Sequence, residues 1–418
     1  MAACAVVASV AAPGHASGPG TGVRDASGGS TTGQTEQTLA VNPVDPNDIL
    51  IGFINGLSIS HDGGLSWTVS QQVGCSGDGN PAFDQSGVAY FECGGNGVQI
   101  QVYRSGDGGD TWTGPITAAD DTSNQGDFID RPWLVRGRGG HDLVVGWESF
   151  FTNPAGWVFM RTSADGGTTW GPVRRVDDPI AADAEWDPRQ LPVVGADGTI
   201  YDVYASGHAP WIFPQTLPLA LVVAATSDGG ATFRRAVAAA NVTRSSSPTE
   251  ETETISSLAA DPNSTRAGHL ALSWADEGSG YSRIQVVTSV DGGAHWSAPA
   301  QVEPQPAGSA DEQDHPQVQF APDGRLVLVW RDRSCCGNTW QSPYVLVGRM
   351  LAISPTGPAH PTRIVSITDA PQDPNSSSMY DEYLGLVVGP EGVSVAWNQP
   401  RAGAASTTFR RIPLSQFR

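Results

Sequence analysis

Lysine is absent from this chain of 418 residues, so its 23 basic residues are all arginine. That absence excludes Schiff-base catalysis and the phosphate-loop lysine of nucleotide-binding proteins. Positive charge is scarce overall, because 43 acidic residues leave a formal net charge of −20. A surface this acidic argues against nucleic acid or an anionic membrane as a partner. No apolar run reaches the roughly 20 residues that a membrane-spanning helix needs.

Long amphipathic helical patterns are missing as well, whereas Gly and Pro are plentiful, at 50 and 31 residues. This balance predicts an all-β protein with many turns. Residues 1–16 are small and apolar and end in Gly14-His15-Ala16, a pattern typical of a signal peptide and its cleavage site. Residues 17–35 are rich in Gly, Ser and Thr and predict a flexible lead. We therefore expect a secreted protein in which residues 36–418 form a single domain.

Cysteine is rare, at five residues, and only four of them lie beyond the predicted signal peptide. In an exported protein, Cys75 and Cys93 are expected to form a disulfide, since they flank one predicted strand pair. The adjacent Cys335 and Cys336 form either a vicinal disulfide or two thiols. No second cluster of Cys and His has the spacing of metal ligands, so we expect neither a metal site nor a cofactor.

One eight-residue motif occurs five times and combines Ser or Thr, Asp, two Gly and an aromatic residue. The copies are residues 60–67, 105–112, 163–170, 226–233 and 289–296. Strand-like runs precede the copies, so each copy predicts a hairpin turn between two strands. In such a turn the Asp carboxylate accepts backbone N–H bonds and the Gly pair supplies positive φ. We therefore interpret the five Asp residues as structural rather than catalytic.

The motif resembles the Asp box, or BNR repeat, and the chain from about Glu36 onward resembles the sialidase-like β-propeller superfamily. The resemblance implies four-stranded antiparallel blades around a central channel, with the Asp-box turns gathered on one face. The superfamily includes sialidases, other glycan-active enzymes and non-catalytic proteins. The fold by itself therefore leaves the activity open.

A second recurring pattern, a polar or acidic residue followed by two apolar runs, marks the start of each blade. Its copies begin at Thr38, Asn80, Asp130, Asp187, Glu253, Asp314 and Asp381. Seven copies predict a seven-bladed propeller, with six blades as the alternative count. One strand follows Trp397, at about residues 408–414. We therefore expect the segment before Glu36 to supply the last strand and close the ring.

The starts of the innermost strands should ring the channel on the face opposite the Asp boxes, and six of the seven are Asn, Asp or Glu. Clustered carboxylates raise one another's pKa or bind a cation or a polyhydroxylated ligand, although they also cap strands and hold channel water. Insertions on this face add aromatic residues and Arg, which suit the C–H faces and hydroxyls of a sugar. The candidates for substrate binding are Arg131, Arg331, Arg333, Trp211 and Asp381.

Sialidases attack with a Tyr that is paired with a Glu, and two segments resemble theirs. Tyr383 and residues 384–392 resemble the nucleophile segment, and Glu253 resembles the paired Glu, which can take the phenol's proton. The Arg-Ile-Pro segment that should open the first blade is replaced by residues 38–42. The loop that should carry the acid is only residues 54–57. Because these parts are missing, the comparison argues against a true exo-sialidase.

Three functional hypotheses remain, and we expect a monomer in each; the third is a structural extracellular module without pocket chemistry. In the first, the protein is a glycosidase or a polysaccharide lyase with Tyr383 as nucleophile or base and Glu253 as its partner. Asp130, Asp187 or Asp314 is then the acid. In the second, a non-catalytic propeller binds glycan or protein on the same face. The first predicts a deep pocket with Tyr383 and Glu253 within hydrogen-bond reach, and the second predicts separated carboxylates on a shallow aromatic surface.

Overall fold

Strands make up nearly all the regular structure of this computed structural model. It describes residues 22–28, 34–70, 72–95, 97–120, 128–150, 157–177, 192–206, 219–243, 256–305, 312–337, 342–354, 356–372, 383–401 and 404–418. Two short 3₁₀ turns within them are Ser264–Arg266 and Leu414–Phe417. No helix in these ranges is long and apolar enough to cross a membrane.

The strands form seven antiparallel sheets, each running outward from a central axis. Blade 1 contains β2 (Thr38–Val41), β3 (Ile49–Phe53), β4 (Gly56–Ser60) and β5 (Thr68–Val69). Blade 2 contains β6 (Gly79–Phe83), β7 (Ala89–Gly95), β8 (Gln99–Ser105) and β9 (Thr113–Asp120). Blade 3 contains β10 (Phe128–Arg136), β11 (Leu143–Phe150), β12 (Trp157–Ser163) and β13 (Arg174–Arg175). Blade 4 contains β14 (Val193–Val194), β15 (Ile200–Ser206), β16 (Leu219–Thr226) and β17 (Arg234–Val242).

The remaining blades follow the same plan with two variations. Blade 5 contains β18 (Ser256–Ala260), β19 (Leu270–Asp276), β20 (Arg283–Ser289) and β21 (Ala300–Gln301). Blade 6 contains β22 (Gln313–Phe320), β23 (Leu326–Asp332) and β24 (Val345–Ser354), and β24 pairs with both β25 (Gly357–Ala359) and β26 (Val365–Ser366). Blade 7 contains β27 (Gly385–Gly389), β28 (Gly392–Arg401), β29 (Ala404–Ile412) and, as its outermost strand, β1 (Arg24–Asp25).

The ring is closed by strands from both ends of the described chain. Each innermost strand contacts the innermost strand of the next blade, and β27 contacts β2. Arg24 and Asp25 of β1 pair with Phe409 and Thr408 of β29. The seven-bladed propeller is therefore confirmed, as is the closing strand from the segment before Glu36, and the six-bladed alternative is wrong. The innermost strands remain the edges of their own sheets, and closure of the ring keeps these edges short and protected around the axis.

Buried apolar side chains fill the interfaces between adjacent blades. Each interface contains a cluster of such residues in the described part of the chain, and the smallest closes blade 7 against blade 1 around Ala26, Ile51 and Phe409. The Trp residues that end the predicted apolar runs, such as Trp274 and Trp330, lie almost fully buried in these interfaces. Blade-to-blade packing thus explains why the apolar runs recur along the sequence.

The Asp-box turns join the third and fourth strands, as their sequence predicts. In the second copy the backbone N–H and the hydroxyl of Thr111 donate to Asp107 at 2.9 and 2.5 Å. Those bonds, with the Ser105 hydroxyl, lower the pKa of Asp107 to about 2. Gly166, in the third copy, donates its N–H to His141 O in the turn between the first two strands of its blade, at 3.0 Å. The Asp-box turns therefore share one face of the ring with the turns between first and second strands.

Candidate functional site

The central channel is lined by the innermost strands of all seven blades and encloses about 620 Å³. We call the end where these strands begin the upper mouth, which is defined by Asp78, Asn80, Asp130, Trp133, Asp314 and Tyr383. The opposite end, on the Asp-box face, is the lower mouth, which is defined by Gln85, Arg136, Arg138, Pro262 and Glu391. The sequence placed its candidate residues at the upper mouth.

Tyr383 bridges blades that are not neighbours. It precedes β27 of blade 7, yet its phenol donates a hydrogen bond of 2.7 Å to Asp78 Oδ2, which precedes β6 of blade 2. Its ring also meets Trp133 of blade 3 edge-on, with 6.1 Å between ring centroids. Tyr383 is 3% exposed, so its phenol is held among these groups. Three blades thus contribute to one cluster of a phenol, a carboxylate and an indole.

Glu92 adds a second carboxyl group behind Asp78. It lies opposite Asn80 in the β6–β7 ladder and is 0% exposed. Burial raises the pKa of Glu92 well above its usual value, and the nearby Cys93 and Asp78 add to the shift. No described residue forms a hydrogen bond with either of its side-chain oxygens. A protonated Glu92 leaves a single negative charge on this pair of carboxyl groups.

Asp130 and Asp314 begin two bulges of the same design in blades 3 and 6. In each, the register of the first ladder shifts directly after the Asp, within an Asp-x-Pro sequence. The middle residues, Arg131 and His315, have φ values of 48° and 49°. A residue with a side chain rarely adopts positive φ, and such positions cluster at functional sites. The two bulges therefore mark the upper mouth as a place where backbone geometry departs from a plain strand.

Asp314 differs from Asp130 in its surroundings. Its carboxylate is 1% exposed and pairs with Arg333 Nη1 at 2.5 Å and with His315 Nδ1 at 3.1 Å. Although burial opposes ionisation, Arg333 and His315 hold the pKa of Asp314 well below its usual range. A carboxyl group held ionised favours an electrostatic role over proton donation. Asp130 is only half-buried and accepts the N–H of Arg131 at 3.0 Å.

The predicted substrate-binding arginines of blade 6 are buried in the protein. Arg331 and Arg333 are 2% and 0% exposed, and their guanidinium groups lie 4.9 and 5.5 Å from the centroid of the Tyr344 ring. Arg131 is also buried. Their roles in substrate binding stay predictions. Four further candidates, Asp187, Trp211, Glu253 and Asp381, lie outside the described residues, so the predicted pairing of Tyr383 with Glu253 stays untested.

The four cysteines of the described residues lie in two pairs, one oxidised and one reduced. Cys335 and Cys336 form a vicinal disulfide in the structure, directly after β23 on the upper face. Cys75 and Cys93 are thiols, and the hydrogen bond to Cys93 is the largest of the causes that raise the pKa of Cys75. The bridge that the sequence predicts between these two thiols is therefore not formed in the structure. No group of three or more metal-ligating side chains occurs among the described residues.

Sequence reasoning missed Asp78 and Glu92, although weak signals for both were present. Asp78 lies two residues before Asn80, between Gly77 and Gly79, in a connection that leads into an innermost strand. Glu92 lies within the second strand of its blade, opposite Asn80, as Glu148 lies opposite Asp130 in the next blade. An acidic residue inside an otherwise apolar second strand is the signal that points to this position.

The fold and its repeated turns define an Asp-box β-propeller, which confirms the resemblance to the sialidase-like superfamily at the level of the fold. No protein-family model and no curated protein sequence matches the chain. Similar solved structures include a protein of unknown function from Dyadobacter fermentans, with 15% identity over 94% of this chain and 100% of that one, at a TM-score of 0.49.

Two carbohydrate-acting enzymes are also similar in structure. A Hadza microbial sialidase has 14% identity over 88% of this chain and 74% of its own, with a TM-score of 0.47. An α-L-arabinofuranosidase from Fusarium graminearum has 14% identity over 69% of this chain and 94% of its own, with a TM-score of 0.42. At these values the likeness concerns the fold, and the function must be argued from the site.

Proposed function

We propose that this protein is a secreted, carbohydrate-directed propeller that acts as a glycosidase at its upper mouth. The observation that carries the proposal is the hydrogen bond of 2.7 Å from the Tyr383 phenol to Asp78, which joins blade 7 to blade 2. A carboxylate that accepts a phenolic proton makes the phenol oxygen a nucleophile. The indole of Trp133 beside this pair offers the aromatic face on which a sugar ring stacks.

The roles of the other carboxyl groups follow from their surroundings. Burial raises the pKa of Glu92 and favours its neutral form behind Asp78, which lessens the negative charge that would oppose the transfer of the phenol's proton. Asp130 is the described candidate for the acid, because it is half-buried at the same mouth, whereas Asp314 is buried in ion pairs. In the reaction, the Tyr383 oxygen attacks the anomeric carbon while its proton passes to Asp78. Asp130 protonates the leaving oxygen as the glycosidic bond breaks. Asp130 then takes a proton from the water that attacks the anomeric carbon, the bond to Tyr383 breaks, and the phenol oxygen recovers its proton from Asp78.

The test is turnover on a panel of aryl glycosides and uronate-containing polysaccharides. Tyr383→Phe removes the nucleophile and should lower kcat at least a thousandfold, while Asp78→Asn should lower it by about a hundredfold or more. Tyr201→Phe is the matched control. The Tyr201 ring is buried in blade 4. Its hydroxyl lies beside Gly292 in the fifth Asp-box turn, 3.3 Å from the position that a Cβ on Gly292 would take, and therefore near the Asp-box face. This variant should turn over substrate at the wild-type rate.

The outcomes separate catalysis from binding. Full activity in Tyr383→Phe would contradict the assignment of the nucleophile. Glycan binding without turnover on any substrate would favour the non-catalytic propeller instead. In that case Tyr383→Phe and Asp78→Asn should still weaken glycan affinity, because both groups line the same mouth.

A further inference from the structure

The lower half of the channel has its own chemistry. Charged residues among the channel-lining residues are Arg136, Arg138 and Glu391, and all three lie toward the Asp-box face. Two guanidinium groups against one carboxylate leave a local positive charge in a chain whose net charge is −20. The cavity of about 620 Å³ has the volume of sites that hold small ligands. Nothing in the proposed reaction uses this end of the channel.

Arg136, the last residue of β10, is the centre of this arrangement. Its side chain keeps contact with solvent, yet the surrounding protein desolvates the guanidinium and lowers the pKa of Arg136. Solvent contact and desolvation are compatible here, because the wall of a channel is concave. Water reaches the side chain from the channel, while protein surrounds it on the other sides. In the described part of the chain, no residue forms a hydrogen bond or ion pair with the Arg136 side chain.

Two acidic side chains of the neighbouring lower turns, Asp84 and Asp197, are engaged elsewhere. Asp84, whose charge acts on Arg136 from a distance, accepts His141 Nδ1 at 2.7 Å and the Ser86 hydroxyl at 2.7 Å. Asp197 accepts the Thr199 N–H and hydroxyl, both at 3.0 Å. The neighbouring turns therefore hold their own carboxylates, and the fork of N–H groups on Arg136 is left for an occupant of the channel.

Arg138 stands beside this position and is fixed in place. Its Nη1 donates to Asp197 O at 2.8 Å, and its own carbonyl accepts the Gln85 amide at 3.0 Å. These bonds link the lower turns of blades 2, 3 and 4. The Arg138 guanidinium is thus anchored to the rim, while Arg136 lines the channel.

We propose that the lower mouth is a binding site for a small oxyanion, a carboxylate or phosphate group, with Arg136 as its partner. A planar guanidinium presents parallel N–H groups that match two oxygens of such a group, and a partly desolvated channel strengthens the pair. Arg138 adds positive charge at the rim. The site is separate from the upper mouth and does not depend on the proposed glycosidase activity.

Isothermal titration at constant ionic strength tests this site with three probes: glucuronate, inorganic phosphate and glucose. The wild-type protein should bind at least one of the two anions, and any binding of glucose should not depend on Arg136. Arg136→Gln should weaken that binding at least tenfold, and Arg136→Lys should fall between the two, since lysine keeps the charge but loses the fork. Tighter binding of glucuronate would assign a sugar acid, and tighter binding of phosphate a phosphate ester.

The matched control is Arg325→Gln, which removes the same charge from the same face. Arg325 pairs with Asp323 at 2.6 Å in an exposed turn outside the channel, so its loss should leave anion affinity unchanged. Circular dichroism establishes that each variant is folded. The proposal is overturned if neither anion binds the wild-type protein, or if folded Arg136→Gln keeps the wild-type affinity for the anion.

Discussion

Removing the closing strand tests whether the chain is a ring held together at its two ends. A chain that lacks residues 1–28 loses β1 and Ala26, while a chain that lacks residues 1–21 keeps both and serves as the control. Ala26 is 0% exposed, its N–H donates to Thr407 O at 2.8 Å, and its carbonyl accepts the Ser58 hydroxyl at 2.7 Å. The deletion also removes the pairing of β1 with β29.

The size of the effect follows from these contacts. Three or four lost hydrogen bonds at about 1 kcal/mol each, with roughly 1 kcal/mol for the burial of Ala26, amount to about 4 kcal/mol. A loss of this size in a domain of this length lowers the midpoint of thermal unfolding by roughly 5 °C. The uncovered edge of β29 should also promote association.

Urea-induced unfolding followed by tryptophan fluorescence measures the free energy of unfolding for the two truncated chains and the full chain. The account predicts that the chain lacking residues 1–21 matches the full chain, while the chain lacking residues 1–28 is less stable by about 4 kcal/mol. A difference below about 1 kcal/mol between the two truncated chains would refute the closure of the ring by β1.

Two further predictions concern the Asp-box face. Gly64→Ala should destabilise the protein by at least about 2 kcal/mol, because Gly64 has φ of +91° and an added Cβ would collide with the Phe409 ring. Gly63→Ala, at φ of +74°, should cost less in the same unfolding assay, because its Cβ would meet the Asn47 and Arg411 side chains at ordinary contact distances of 3.4 and 3.5 Å. His61 has its pKa raised, chiefly by a hydrogen bond to Asp48. This pair should therefore stabilise the fold by about 0.5 kcal/mol below pH 6.5, and that contribution should be lost as the pH rises through the raised pKa. His61→Ala should flatten this pH dependence, and an unchanged pH profile would contradict the pairing.

The blades and their turns could be predicted because their signals are local and repeated. The Asp-box motif places a hydrogen-bonding carboxylate and two glycines within eight residues, so it specifies its hairpin without help from distant parts of the chain. The closing strand could be predicted by counting strands, since only one strand follows Trp397 and the last blade would otherwise lack its fourth. Both inferences needed only patterns within a window of the sequence.

The upper mouth could be predicted only in part, because its contacts join residues from different blades that are far apart in the sequence. Tyr383 and Asp78 are 305 residues apart, and their contact depends on how far the phenol extends past blade 1. The burial of Arg333 against Asp314 likewise depends on how blade 6 packs, which residue type alone does not determine. The Asp-x-Pro sequences at Asp130 and Asp314 were visible, but their shared bulge appears only in the strand register.

The central claim is that ring closure brings Tyr383 of blade 7 onto Asp78 of blade 2, and a double-mutant cycle measures that contact directly. The free energy of unfolding is determined for the wild-type protein, Tyr383→Phe, Asp78→Asn and the double variant. Since a hydrogen bond to a charged group contributes about 1.5–3 kcal/mol, the account predicts a coupling energy of at least about 1 kcal/mol between the two sites. Additive effects within about 0.3 kcal/mol would show that the two groups do not interact, and would contradict the candidate site.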